Sequence, residues 1–208
     1  MYGLLISIGG ILAFLISEKA AKKERLDLGI FYPTVNFTII GGVVGARIWH
    51  VIDYWWFYSQ NFRQIFEIWK GGLGIFGGLI GGSFIIILTL FLKGEHKRIW
   101  LWLDTFVLGL PLAQAIGRWG NYFNQEIYGI ETSLPWGILI KGQKHHPLFF
   151  YESILDLCLF FVLQKMWKKQ EEPEADKKKN GLKEGTVFAT YAFGYIFIRI
   201  LLQPLRMH

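Results

Sequence analysis

The sequence predicts an all-α fold, a polytopic membrane helix bundle of about six transmembrane helices with a small extracytoplasmic loop region. Three observations lead there. Of 208 residues, 52% are hydrophobic and 17% aromatic against 18% charged, and mean hydropathy is positive, more apolar side chain than a soluble domain of this size can bury. The apolar residues gather into six segments close to the roughly 20 residues that cross a hydrocarbon core. Finally, Lys and Arg concentrate in alternate connections between those segments, the signature of a fixed orientation across a bilayer.

The first segment runs from Met1 to Ser17. Its charges follow the apolar stretch, the reverse of a cleavable signal peptide, so it is expected to remain as a helix. The others are Val35 to Tyr58, Gly71 to Leu92, Ile99 to Gly117, Pro147 to Trp167 and Thr186 to about Leu205, with internal charges in the second, fifth and sixth. Lys19, Lys22, Lys23 and Arg25 follow the first segment, three basic residues follow the third, and seven lysines lie in Lys165 to Lys183. That distribution puts loops one, three and five in the cytoplasm and both chain ends outside. The chain reads as a single integral-membrane domain over residues 1–208, with an extracytoplasmic loop or cap at 118–146 and a solvated cytoplasmic linker at 168–185. The cap carries Gly120, Gly129, Pro135, Gly137 and Gly142 and is expected to be irregular or short-stranded.

The formal charge of +6 could suggest nucleic acid, but lysines clustered beside an apolar run are explained better by membrane orientation. The single cysteine, Cys158, lies within an apolar run, which excludes an intramolecular disulfide and argues against a catalytic thiol.

Gly71, Gly72, Gly74, Gly77, Gly78, Gly81 and Gly82 stand at three- and four-residue spacing in the third segment. Close helix packing is the plainer explanation, and local unwinding beside a ligand is the other. The fourth segment ends in a polar run, Gly117-Arg118-Trp119-Gly120-Asn121-Tyr122-Phe123-Asn124-Gln125-Glu126-Ile127-Tyr128-Gly129. Arg118 and Asn121 share a helix face, whereas Glu126 joins them only if the chain bends after Asn121. A snorkelling arginine with an amide-rich cap is the alternative.

In the sixth segment Tyr195, Arg199, Gln203 and Arg206 fall in one stripe of a continuous helix. An intramembrane arginine costs about 2.5–3.5 kcal/mol by insertion scales and faces a bundle interior or wet cavity. Arg199 therefore either serves function or pairs with Glu152 or Asp156, one turn apart in the fifth segment. In the second segment Arg47, His50 and Tyr54 share a face with Asp53 alongside, where an Arg–Asp pair competes with a ligand role. His145 and His146 precede Pro147, where capping of the next helix is expected. At about 1.5 Å per residue, Arg118, Arg199, Tyr2, Asn121, Glu126 and His146 all fall in the outer half of the membrane. Two guanidinium groups there suit a phospholipid phosphate, whose geometry they match while remaining charged.

With these residues assembled, the sequence resembles the prolipoprotein diacylglyceryl transferase family through Gly117-Arg118-x-Gly120-Asn121-x-x-Asn124-x-Glu126-x-x-Gly129. Further similarity lies in Tyr2-Gly3, Gly45-Ala46-Arg47, the glycine pairs at 71–78, His146-Pro147 with Tyr151-Glu152, and Tyr195-x-x-x-Arg199 with Arg206. The resemblance implies a multi-pass enzyme of the bacterial cytoplasmic (inner) membrane with its site toward the outer leaflet. Such an enzyme moves diacylglyceryl from phosphatidylglycerol to the lipobox cysteine of a prolipoprotein, works among membrane lipids, and uses no metal or organic cofactor. It further implies that Arg118, Arg199, Asn121 and Glu126 are catalytic, while Tyr2, Arg47, Asn124, Gly129, His146, Tyr195 and Arg206 bind substrate. This sequence departs from the family pattern at Phe76, where many members have histidine, at Gln203, where glutamate is usual, and in reaching His208 ahead of the family's seventh helix. A non-catalytic phospholipid-binding relative, and a small transporter or channel lined by the charged helices, are the competing readings.

Overall fold

The computed structural model describes residues 1–170 and 182–206. These form helices with one two-stranded hairpin: α1 (Tyr2–Lys23), α2 (Leu28–Asp53), α3 (Trp55–Tyr58), α4 (Ile75–Leu92), α5 (Ile99–Val107), α6 (Leu110–Phe123), β1 (Ile138–Ile140), β2 (Gln143–His145), α7 (Leu148–Gln170) and α8 (Thr186–Leu202). Among the described residues five helical stretches are long and apolar enough to cross a membrane: Tyr2–Lys23, Leu28–Asp53, Ile75–Leu92, Glu95–Phe123 and Thr186–Leu205. The chain is thus an all-α polytopic membrane protein. α7 is long enough at 23 residues but is made less apolar by Glu152, Asp156 and its terminal lysines.

Two compact units are present, one built from Met1–Glu24 and the chain from Trp100 onward, the other from Arg25–Ile99. In the second unit α2 packs against α4. Gly45 faces Gly77 and Gly41 faces Gly81 so closely that a Cβ on any of them would collide with the opposite backbone or with Ile85 or Trp49. Gly77 and Gly81 therefore serve close packing, which van der Waals contact rewards in a lipid solvent, whereas Gly71 and Gly72 stand at positive φ in the loop ahead of α4. α2 begins seven residues before the expected Val35. Asp27 caps it by accepting the N–H of Gly29 at 2.7 Å, and Pro33 is carried inside the helix.

In the first unit α1, α6, α7 and α8 pack in succession. The contacts form a ladder. Tyr2 lies against Gly120 and Gly9 against Ala113, while the Ser17 hydroxyl donates to the Phe106 carbonyl, so α1 runs antiparallel to α5 and α6. The Ser153 hydroxyl donates to Ala115 O, Gln164 Nε2 to Leu108 O and Gln170 Nε2 to Asp104, so α7 is likewise antiparallel to them. The continuous helix expected over Ile99 to Gly117 is broken after Val107, where Pro111 in the first turn of α6 removes a backbone donor. Its second half runs on to Phe123, so residues 118–123 are helical and the irregular loop starts at Asn124. Of the linker expected at 168–185, residues 171–181 lie outside the described residues, and residues 168–170 complete α7.

Candidate active site

The Tyr2–Gly120 end of the first unit gathers most of the polar residues singled out in the sequence. On α6, Arg118 points at α7: its Nε lies 2.7 Å from Glu152 Oε2 and 3.9 Å from Asp156 Oδ2. On α8, Arg199 Nη1 lies 3.6 Å from Glu152 Oε1. Arg206 Nη2 donates to that same Oε1. One buried carboxylate, 1% exposed, is therefore shared by three guanidinium groups from three places in the chain.

The continuous stripe from Tyr195 to Arg206 needs correction. α8 ends at Leu202 and a 3₁₀ turn, Gln203–Leu205, follows with Pro204 inside it, so Arg206 is extended backbone (φ −82°, ψ 142°). It still reaches Glu152 because this segment is tied to the cap. The Ile130 N–H donates to Leu205 O at 2.9 Å, and Gly129 pairs with Arg206 as an antiparallel bridge. Gly129 is required by that approach: a Cβ there would lie 2.7 Å from both His146 Cβ and Leu205 O.

The expected bend after Asn121 is present. Gln125 and Ile127 take left-handed backbone angles (φ 52° and 53°), and the Glu126 N–H returns to Asn121 O at 3.0 Å. Glu126 Oε1 then accepts from Asn121 Nδ2 at 3.0 Å and from Asn124 Nδ2 at 3.3 Å. Asn121 is buried, whereas Asn124 and Glu126 are exposed, which gives the motif a rigid inner amide and an open acidic edge.

The cap itself is a hairpin, with Ile138 paired to His145 and Ile140 to Gln143, turned by Lys141 and Gly142 at positive φ. His145 serves the cap, whereas His146 stands at the helix start as expected, its carbonyl accepting the Leu148 N–H at 2.9 Å. His145 Nδ1 lies 2.9 Å from Gly129 O, so that nitrogen carries the proton. His146 Nδ1 lies 3.3 Å from the Tyr151 hydroxyl, which also accepts from Trp136 Nε1 at 2.8 Å. Trp136, Ile138, Pro147, Phe149, Phe150 and Tyr151 line an apolar groove along this face.

Behind the arginines, Gln114 Nε2 donates to the Tyr191 hydroxyl at 2.9 Å, and Tyr191 stacks on Tyr195. Asp156 is 0% exposed, with neither oxygen hydrogen-bonded among the described residues.

Of the two roles open to Arg199, the ion pair with Glu152 is present, yet 37% of its side chain stays exposed. Three guanidinium groups face two carboxylates there, leaving one formal positive charge in excess. The sequence offered Glu152 and Asp156 as partners for Arg199, with Glu152 also part of the family resemblance, but gave neither a place in the site. Their spacing of four residues in an apolar helix was the available signal, but which cations they would gather depends on packing between helices.

Arg47 belongs to the other unit. Its Nε donates to Ile65 O at 2.8 Å, Nη1 to Gly71 O and Gly72 O at 2.8 and 3.0 Å, and Nη2 to Gln64 O, while its guanidinium lies 5.1 Å from the centre of the Tyr58 ring. Backbone carbonyls rather than Asp53 satisfy it, and it staples the loop ahead of α4. Phe76 in the same unit is exposed and lies near Trp49. As a hydrocarbon ring it cannot accept a proton.

Comparison with known proteins agrees with the motif. The profile of the family described as prolipoprotein diacylglyceryl transferase matches residues 1–208. Proteins named phosphatidylglycerol--prolipoprotein diacylglyceryl transferase are similar along almost the whole chain. That of Clostridioides difficile (strain 630) is 43% identical, covering 99% of this chain and 82% of the relative. That of Finegoldia magna is 37% identical, covering 99% and 78%, and that of Synechococcus sp. (strain CC9902) is 33% identical, covering 99% and 75%. These matches disfavour a transporter or channel, and by them the chain belongs to the prolipoprotein diacylglyceryl transferase family, a family of transferases.

Proposed function

We propose that this protein transfers the diacylglyceryl group of phosphatidylglycerol to the lipobox cysteine thiol of a prolipoprotein, leaving a thioether and releasing glycerol phosphate. The observation that carries the reading is the meeting of Arg118, Arg199 and Arg206 at Glu152 in a chain whose relatives are named for that reaction.

In the reaction, the cysteine sulfur forms a bond to the glyceryl carbon as the bond from that carbon to the phosphate oxygen breaks. Negative charge grows on the departing phosphate, and guanidinium donors fixed beside it stabilise that charge more in the transition state than in the ground state. Arg199, partly exposed and most loosely held to Glu152, meets the phosphate directly. Arg118 supports it from the protein side. Asn121 and Asn124 hold Glu126 at the edge where the headgroup and peptide enter, and Tyr2, Tyr195, His146 and Gly129 shape the walls.

A free thiol has a pKa near about 8.5, so its proton must leave as sulfur attacks. The proton goes to Glu126, to a phosphate oxygen, or to water held by Asn121.

The protein works in the bacterial inner membrane with the site toward the outer leaflet. Supporting this, Lys168, Lys169 and Lys183 lie near the Asp104 end of the helical ladder, opposite the arginines, and lysine-rich ends stay in the cytoplasm. The test is incubation of purified protein in phosphatidylglycerol vesicles with a lipobox peptide. The expected result is a peptide mass gain of one diacylglyceryl group; no gain rejects the reading.

A further inference from the structure

We propose that Glu152 is the positioning residue of this site: its single carboxylate holds the guanidinium groups of Arg118, Arg199 and Arg206 at one point before the lipid headgroup arrives. The inference rests on the transferase reading and adds a role that the family motif around Arg118 leaves open.

The three arginines come from the C-terminal half of α6, the last turn of α8 and the extended residue after the 3₁₀ turn Gln203–Leu205. Three like charges repel strongly in a poorly screened interior, so their convergence requires an anion. Glu152 supplies it, with Oε2 toward Arg118 and Oε1 toward both Arg199 and Arg206. Asp156 does not substitute, because among the described residues its only arginine contact within 4 Å is Arg118, at 3.9 Å. Glu152 is 1% exposed, so it acts on the reaction through the arginines rather than by touching the substrate. The pairing is graded. Arg118 is held at 2.7 Å and Arg199 at 3.6 Å, so the headgroup phosphate engages Arg199 while Arg118 and Arg206 keep their anchor. A carboxylate and a phosphate attract the same guanidinium forks, and Glu152 therefore preforms the donor set that the phosphate uses.

The test is steady-state transfer in phosphatidylglycerol vesicles. Glu152→Gln keeps the side-chain shape but not the charge, and should lower kcat at least about tenfold while KM for the peptide stays within about threefold. Glu152→Asp keeps the charge on a shorter stem and should recover part of the rate. Arg206→Gln should cost less in the Glu152→Gln background than in the wild type, the mark of a shared interaction. Wild-type kcat in Glu152→Gln, or losses that simply multiply with Arg206→Gln, would overturn the proposal. If Glu152→Gln does not fold, Glu152→Asp decides: reduced kcat with unchanged peptide KM supports the role, and wild-type kcat overturns it. If the wild type transfers nothing, the transferase reading fails separately and the inference is read from lipid binding. Phosphatidylglycerol should then raise the thermal midpoint above that in phosphatidylcholine for the wild type but not for Glu152→Gln, and an equal rise in both would overturn it.

Discussion

Asp104 on α5 accepts the backbone N–H of Phe188 at 2.7 Å. The same carboxylate accepts the N–H of Gly185 at 2.7 Å and Nε2 of Gln170 at 2.9 Å, so it caps α8 and gathers the end of α7 with the start of α8. From Phe188 the helix climbs about 17 Å to Arg199, and the cap fixes how far up the arginine stands.

Asp104→Asn replaces one acceptor oxygen by a donor facing backbone N–H groups. Leaving a buried donor unsatisfied costs about 1–3 kcal/mol. The expected outcome is a lowered thermal midpoint in detergent together with reduced transfer, whereas an unchanged midpoint would show that the cap is dispensable.

Arg199→Ala and Arg118→Ala should both abolish transfer but differ in stability. Arg199 is partly exposed, and without it Glu152 keeps Arg118 and Arg206, so stability should change by about 1 kcal/mol or less. Arg118→Ala strips the one arginine that, among the described residues, lies within 4 Å of both buried carboxylates, a loss on the order of 3–5 kcal/mol. Denaturation in detergent beside the transfer assay separates them, and transfer at the wild-type rate in either variant would contradict the proposed clamp.

Asn121→Ala should slow transfer more than Asn124→Ala. Both amides donate to Glu126 Oε1, but Asn121 is buried and closer, and a hydrogen bond to a charged group is worth about 1.5–3 kcal/mol. That corresponds to roughly ten- to a hundredfold for Asn121 and only a few-fold for the solvent-facing Asn124. Equal effects on kcat/KM would mean that Glu126 does not depend on the inner amide.

Gly129→Val places a side chain where the Leu205 carbonyl and the His146 Cβ already stand. Overpacking of this kind costs about 1–3 kcal/mol. It should also loosen the cap from the segment carrying Arg206, seen as faster proteolysis near residue 130 and lost transfer.

Much of this was readable in the chain, for identifiable reasons. The spans follow from apolar length, which the bilayer imposes directly. The turn after Asn121 followed from helical angles that could not place Glu126 on the Arg118 face, and the left-handed Gln125 and Ile127 supply it. The break after Val107 was signalled by Gly109 and Pro111 but masked by the apolar run around them. The early start of α2 runs through Pro33, a residue type common at helix boundaries, and Asp27 provides the cap ahead of it. What the chain could not disclose was partner choice. Arg47, for which a pair with Asp53 and a ligand role were both open, takes carbonyls from residues 64 to 72, and Arg206 reaches Glu152 from outside its helix, because both depend on where distant backbone arrives.

The bridge between Gly129 and Arg206 bears on how the enzyme is made. The hairpin is made early, but the segment that closes against it follows only after α7 and α8 in the chain. A growing chain therefore holds Arg118 and Glu152 before Arg206 exists, and the three-arginine cluster is complete only once residues 203–206 have been made and have met Gly129.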